Sequence, residues 1–189
     1  MAITIPSRDI TTDQIAALRR SLANDLQTLV GGPAGAADTV YRDVRPTDFN
    51  NGVLLGRLDT PALTADVYTN DVYATWTQLG PQQVLGIYGI ADVSAAPLID
   101  EITFSAGASV LSINELTQAW ANTIDARAFF YPPIVWNVNE HVNISLLSHV
   151  GGSNHADAFQ WIGIIAEITS HVALPRKLLP GQKVPGMIS

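Results

Sequence analysis

The sequence predicts an all-β chain, a two-sheet antiparallel sandwich or barrel with an N-terminal helix and one short helix between strands, on three observations. From Thr39 onward, short runs rich in Val, Ile, Tyr and Phe recur between Gly and Pro signals, with no helical pattern alternating with them. Between Asn139 and Val150, the residues Val142, Ile144, Leu146 and Val150 share one parity and His141, Asn143, Ser145 and His149 the other. A pleated strand sends those sets to opposite faces, one dry and one wet. The run from Phe159 to Ile168 is apolar on both parities, Phe159, Trp161 and Ile165 against Ile162, Ile164, Ala166 and Ile168. Such a strand lies inside a sandwich or barrel, or turns its outer face to another subunit. Gly151-Gly152-Ser153-Asn154 between the two runs predicts a hairpin with a longer loop.

Taken in order, the first element is a helix over about residues 12–30. Thr11-Thr12-Asp13-Gln14 reads as a capping box, and Ile15, Leu18, Leu22, Leu26 and Leu29 follow at steps of three and four until Gly31-Gly32-Pro33. This amphipathic helix packs on its own domain or serves as an arm on a neighbour or a lipid surface; Asp13 and Asp25 dilute Arg19 and Arg20 and weaken the lipid version. Gly31 to Ala37 lacks the Lys-Ser/Thr ending of a phosphate-binding loop. Strands are expected at Val40–Val44, Val53–Leu58, Val72–Thr77, Val84–Ile90, Ile99–Phe104, Arg127–Tyr131 and Ile134–Val138, then the terminal pair, about eight to nine in all. Ser112-Ile113-Asn114-Glu115 reads as a second capping box, with Ile113, Leu116, Trp120 and Ile124 at helical spacing. On that basis Ser112→Ala costs about 1 kcal/mol through a lost cap. Pro132-Pro133 lacks ladder donors and is expected at a sheet edge or bend, with Phe129, Phe130, Tyr131 and Trp136 around it.

With 189 residues and no cysteine, the chain has length for one substantial core and no disulfide or thiolate chemistry. Hydrophobic residues are 47% and mean hydropathy is +0.19, yet no apolar run approaches the roughly 18 residues of a membrane span. Thirteen of seventeen acids are Asp, eight of ten bases are Arg, and Lys177 and Lys183 are the only lysines. That surface suits high salt. Up to His171 there are seven Arg and seventeen acids, −10; beyond it Arg176, Lys177 and Lys183 give +3.

No residue is assigned to catalysis, to a cofactor or to a metal. His141 and His149 share a strand face, but eight residues at about 3.3 Å each set them roughly 26 Å apart. No HxH, HExxH or GxSxG occurs, and His155 reads as a solvated turn residue. Asp100-Glu101 opens a strand with its carboxylates on opposite faces, unlike a glycosidase pair. Asn143-Ile144-Ser145 matches a glycosylation sequon at a mid-strand position. Tyr131 and Trp136 offer an alternative role, a sugar-stacking platform on a lectin-like or receptor-binding sandwich. The acidic body disfavours nucleic acid. The tail, residues 172–189, carries Pro175, Pro180 and Pro185 among Leu, Val and Ile and is expected to run extended along an acidic neighbouring subunit. The residues expected at subunit interfaces are Leu18, Leu22, Arg176, Lys177 and Lys183.

The progression Ala128 to Val135, Glu140 to Leu147 and Phe159 to Glu167 resembles the closing strands of viral jelly-roll capsid barrels. With its size and its acidic, lysine-poor composition, the chain resembles the smaller major capsid protein of icosahedral viruses with vertical single β-barrels and an internal membrane, which infect halophilic archaea or Thermus. The resemblance covers roughly residues 38–170. It implies an N-terminal arm at 1–37, a single jelly-roll domain at 38–171 and a basic tail at 172–189. It also implies a virion location after assembly in the host cytoplasm, and no enzymatic role. The implied partners are other copies of the chain, a larger paralogous capsid protein, spike or penton proteins and internal-membrane lipids, without specific nucleic acid.

Overall fold

The computed structural model describes residues 2–30, 39–45, 58–60, 64–68, 79–80, 82–92, 99–120, 126–149 and 155–168. Nine strands and three short or long helical elements occur among them. The strands are β1 (Ile3–Pro6), β2 (Thr39–Asp43), β3 (Leu58–Thr60), β4 (Gln83–Asp92), β5 (Glu101–Ala106), β6 (Ser109–Glu115), β7 (Arg127–Trp136), β8 (Val142–Leu147) and β9 (His155–Ile168). A 3-10 turn covers Ser7–Asp9, the long helix α1 is Thr12–Val30, and a single turn, α2, is Thr117–Trp120. The larger sheet runs β1-β7-β4-β9-β2, with β3 also on β9, and the smaller runs β6-β5-β8. All described pairings are antiparallel.

Helix α1 starts where its capping box predicts. Thr11 N–H donates to Gln14 Oε1 at 2.8 Å and Gln14 N–H to Thr11 Oγ1 at 3.3 Å. Leu18, Leu22, Leu26 and Val30 are its buried stripe. They rest on Val84, Tyr88, Phe129, Ile164 and Ala166, the outer face of the larger sheet. The inner face, with Ile87, Phe130, Trp136, Trp161 and Ile165, packs against Ile102, Phe104, Ile144 and Leu146 of the smaller sheet. The protein is therefore layered helix, larger sheet, smaller sheet. This layering explains the two apolar parities of β9: one lies between the sheets and the other under α1. A neighbour is not needed to cover it.

Glycine sets the helix-to-sheet distance. A Cβ on Gly86 would stand 2.3 Å from Leu22 Cδ1, so the helix sits as close as it does only over a bare backbone. On β9, a Cβ at Gly163 would meet Gly86 O at 2.5 Å. Polar links then fix the lateral order. Glu167 Oε1 accepts from Arg42 Nη2 and from Gln83 Nε2, each at 3.1 Å, tying β2, β9 and β4 together.

Four expectations change. The Val142–Leu147 and Phe159–Ile168 runs are strands, but not a hairpin: β8 pairs β5 in one sheet while β9 pairs β4 and β2 in the other. The chain crosses between layers there. His155 opens β9 rather than sitting in a turn. The capping box at Ser112 is strand β6, and only Thr117–Trp120 is helical; residues 121–125 lie outside the described set. The expected strands at 127–131 and 134–138 are one strand, β7, between β1 and β4. Pro132 and Pro133 sit in its interior, at a bulge. Pairing to β1 ends at Tyr131, and the β4 register shifts between Ile87 and Gly89, so no ladder needs the missing donors. The expected strands at 53–57 and 72–77 fall outside the described residues.

Candidate interaction surface

Strand β1, absent from the sequence-based expectations, closes one side of the sandwich. It pairs β7 from Ile3↔Tyr131 to Pro6↔Ala128. Its other edge meets β6 through side chains: Ala2 N–H donates to Ser112 Oγ at 3.0 Å, and Asn114 Nδ2 donates to Ala2 O at 3.1 Å and Thr4 Oγ1 at 3.2 Å. Ser112 O–H donates to Asn114 Oδ1 at 2.7 Å, which completes the buried network. Ala2 points both backbone groups away from β7, so same-parity Thr4 and Pro6 do too, and Pro6 has no N–H to offer. This edge is blunted against further strand pairing.

The surface beside that edge is apolar. Ile3 is 61% exposed and its pair partner Tyr131 56%. Between them and the first half of α1 runs a groove of about 390 Å³, walled by Ile5, Ile10, Ala17, Leu18 and Tyr131 and rimmed by Asp9. Asp13 is exposed in the first turn of α1. Arg8 Nε is 3.7 Å from Asp9 Oδ2.

Of the residues expected at interfaces, Leu18 and Leu22 are 8% and 0% exposed and belong to this chain's own helix-sheet core. Most of their apolar surface is spent within the chain, and only the remaining edge of Leu18 reaches the groove beside β1. Arg176, Lys177 and Lys183 lie outside the described residues. The stacking platform does not form: Tyr131 is exposed, but Trp136 is fully buried, with Nε1 donating to Ser105 O at 2.8 Å. A ring enclosed in that way has no face for a sugar.

Several titratable groups are tied into the structure. His149 sits past the end of β8, where its Nδ1 is 2.6 Å from Asp100 Oδ2 and its N–H donates to the same oxygen at 2.5 Å. Glu101 accepts from Tyr68 O–H, which holds the Tyr68 hydroxyl above its usual range. His141 is exposed at the other end of β8, and no group of three metal-ligating side chains occurs among the described residues. Asn143 of the sequon donates through Nδ2 to Gly107 O at 2.9 Å. On the helix layer, Arg19 Nη2 donates to Asp43 Oδ1 at 2.8 Å, which raises the guanidinium further. Burial raises the neighbouring Tyr88 hydroxyl, and Arg19 opposes that rise. No described helix is long and apolar enough to cross a membrane.

No family model, curated protein or solved structure matches the chain.

Proposed function

We propose that this chain is a structural virion protein, a single jelly-roll subunit that assembles with its own copies and with a larger single-barrel capsid protein into an icosahedral shell over an internal membrane. The strand order carries the proposal. An eight-strand jelly roll pairs its strands 1-8-3-6 in one sheet and 2-7-4-5 in the other. With β2 as strand 1 and β4 to β9 as strands 3 to 8, the orders β2-β9-β4-β7 and β8-β5-β6 follow that scheme at seven positions. In chain order the scheme's strand 2 comes between β2 and β4, where the one described strand, β3, pairs β9 in the larger sheet and most other residues lie outside the described set. Further support comes from chemistry: His149 is engaged by Asp100, Glu167 ties three strands together, and the groove beside β1 is an open surface feature.

Sedimentation of the full chain in molar and in dilute salt tests the proposal. Large assemblies in molar salt that fall apart on dilution are expected, because a shell of acidic subunits needs its charge screened. A monomer at every salt concentration would overturn it.

A further inference from the structure

The apolar groove lies at the β1 side of the larger sheet, and Ile168, the last described residue before the segment 172–189, lies toward its β2 side. The groove is walled by β1, β7 and the first half of α1. The tail departs from Ile168, which pairs with Thr39 of edge strand β2 and whose N–H donates to Gln82 O. Helix α1, packed over β4 and β9, stands between those two places on the outer face. A tail leaving past β2 meets the β1 edge of a copy placed alongside.

We propose that the groove receives the C-terminal segment, residues 172–189, of a neighbouring copy of this chain; this rests on the shell reading and names one contact within it. The chemistry matches on three counts. Pro175, Pro180 and Pro185 favour an extended polyproline-type strap, and such straps dock on exposed aromatic faces, which Tyr131 supplies. Leu174, Leu178 and Leu179 suit a groove of Ile5, Ile10 and Leu18. Arg176 and Lys177 are opposite in charge to Asp9 on the groove and to exposed Asp13 in the first turn of α1. Ten residues from Ile168 to Leu178, if extended at about 3.1 Å each, span about 31 Å, more than the roughly 19 Å across β1-β7-β4-β9-β2, so length permits either the chain's own groove or a neighbour's. The contact runs from the groove of one copy to the tail of the next, so it can link copies in series or, if exchanged reciprocally, close a pair.

The chain has no cysteine, so placed thiols report the contact directly. Full-length Ser21→Cys, on the groove wall, is mixed with full-length Leu178→Cys and oxidised in molar salt, with Ser145→Cys on the outer face of the smaller sheet as the control. A mixed disulfide dimer with Ser21→Cys, at about ten times the yield of the control pair, is expected. Adding the exposed substitution Tyr131→Asp to the Ser21→Cys chain lowers that yield about tenfold. Equal yields with the control overturn the contact, as does a disulfide that forms only within a Ser21→Cys/Leu178→Cys double variant. In either case, persisting salt-dependent assembly leaves the shell reading standing, whereas a monomeric chain removes both.

Discussion

Between the sheets the packing is built on a cluster of interlocked rings, whereas under α1 a stripe of aliphatic side chains lies close on the sheet. Phe104 is the hub of the first core: its ring meets Phe130, Trp136 and Trp161 edge-on at 5.4, 5.8 and 5.7 Å between centroids. Such pairs add to area burial through complementary ring charge. The second core has one stripe of Leu18, Leu22, Leu26 and Val30 seated over the bare backbone of Gly86. The difference teaches which layer defines the domain. The inter-sheet core joins strands far apart in sequence, while the helix layer is one contiguous segment laid on a finished sheet. Among the described residues no helix covers the smaller sheet; its outer face carries half-buried Thr103 and Ser145 with Ile113 exposed, and Tyr68 O–H donates to Glu101 there.

The largest effect should come from the hub. Phe104→Ala is expected to cost about 3–5 kcal/mol by emptying the centre of the aromatic cluster, read as a lower urea midpoint. A loss below about 1 kcal/mol would mean that the two cores share the load more evenly than their contacts suggest. Next comes the helix layer. Gly86→Ala is expected to cost about 1–3 kcal/mol, and to raise hydrogen exchange in α1 before the strands. Combining it with Leu22→Ala should cost less than the sum of the two single changes, because the added methyl occupies the space vacated by Leu22. Strict additivity would show that the helix moves instead of clashing.

Ser112→Ala is expected to cost about 1–3 kcal/mol, because it strands the Ala2 N–H and Asn114 in the buried network. The readout separates this from a lost helix cap: exchange should rise in β1, and not in α2. The smallest effect is on pH. The folded chain holds Tyr88, Tyr41 and Tyr68 protonated at a pH where an unfolded tyrosine ionises, through burial for the first two and through Glu101 for the third. Their contribution is therefore whole below about pH 10 and is lost as pH rises through their higher folded values. Tyr88→Phe should flatten this alkaline decline in part, as followed by stability measured from pH 8 to 11.

Legibility followed the range of the interactions. The α1 capping box and stripe are local; the box stands as read, and so does the stripe at Leu18, Leu22 and Leu26, while at its end Val30 is buried and Leu29 is exposed. The alternation of β8 marked its buried residues, since Val142, Ile144 and Leu146 face the core. Strand β6 was hidden because its inward residues are Ser112 and Asn114, while Ile113 faces out. Those polar groups are satisfied by Ala2 and Thr4, about 110 residues away, and no window of sequence contains both ends. The interaction groove was illegible for the same reason, being assembled from β1, β7 and α1.

Sequence by itself determined the β-rich class, the N-terminal helix, the apolar parities of β8 and β9 and the acidic body with its basic end, because each is a property of neighbouring residues. Tertiary structure alone decided that β8 and β9 belong to different sheets, and that α1 covers the larger sheet. Period-2 alternation fixes which way a side chain points but not which strand lies beside it. That choice is made by long-range packing, here by Gly86 beneath Leu22 and by the ring cluster around Phe104.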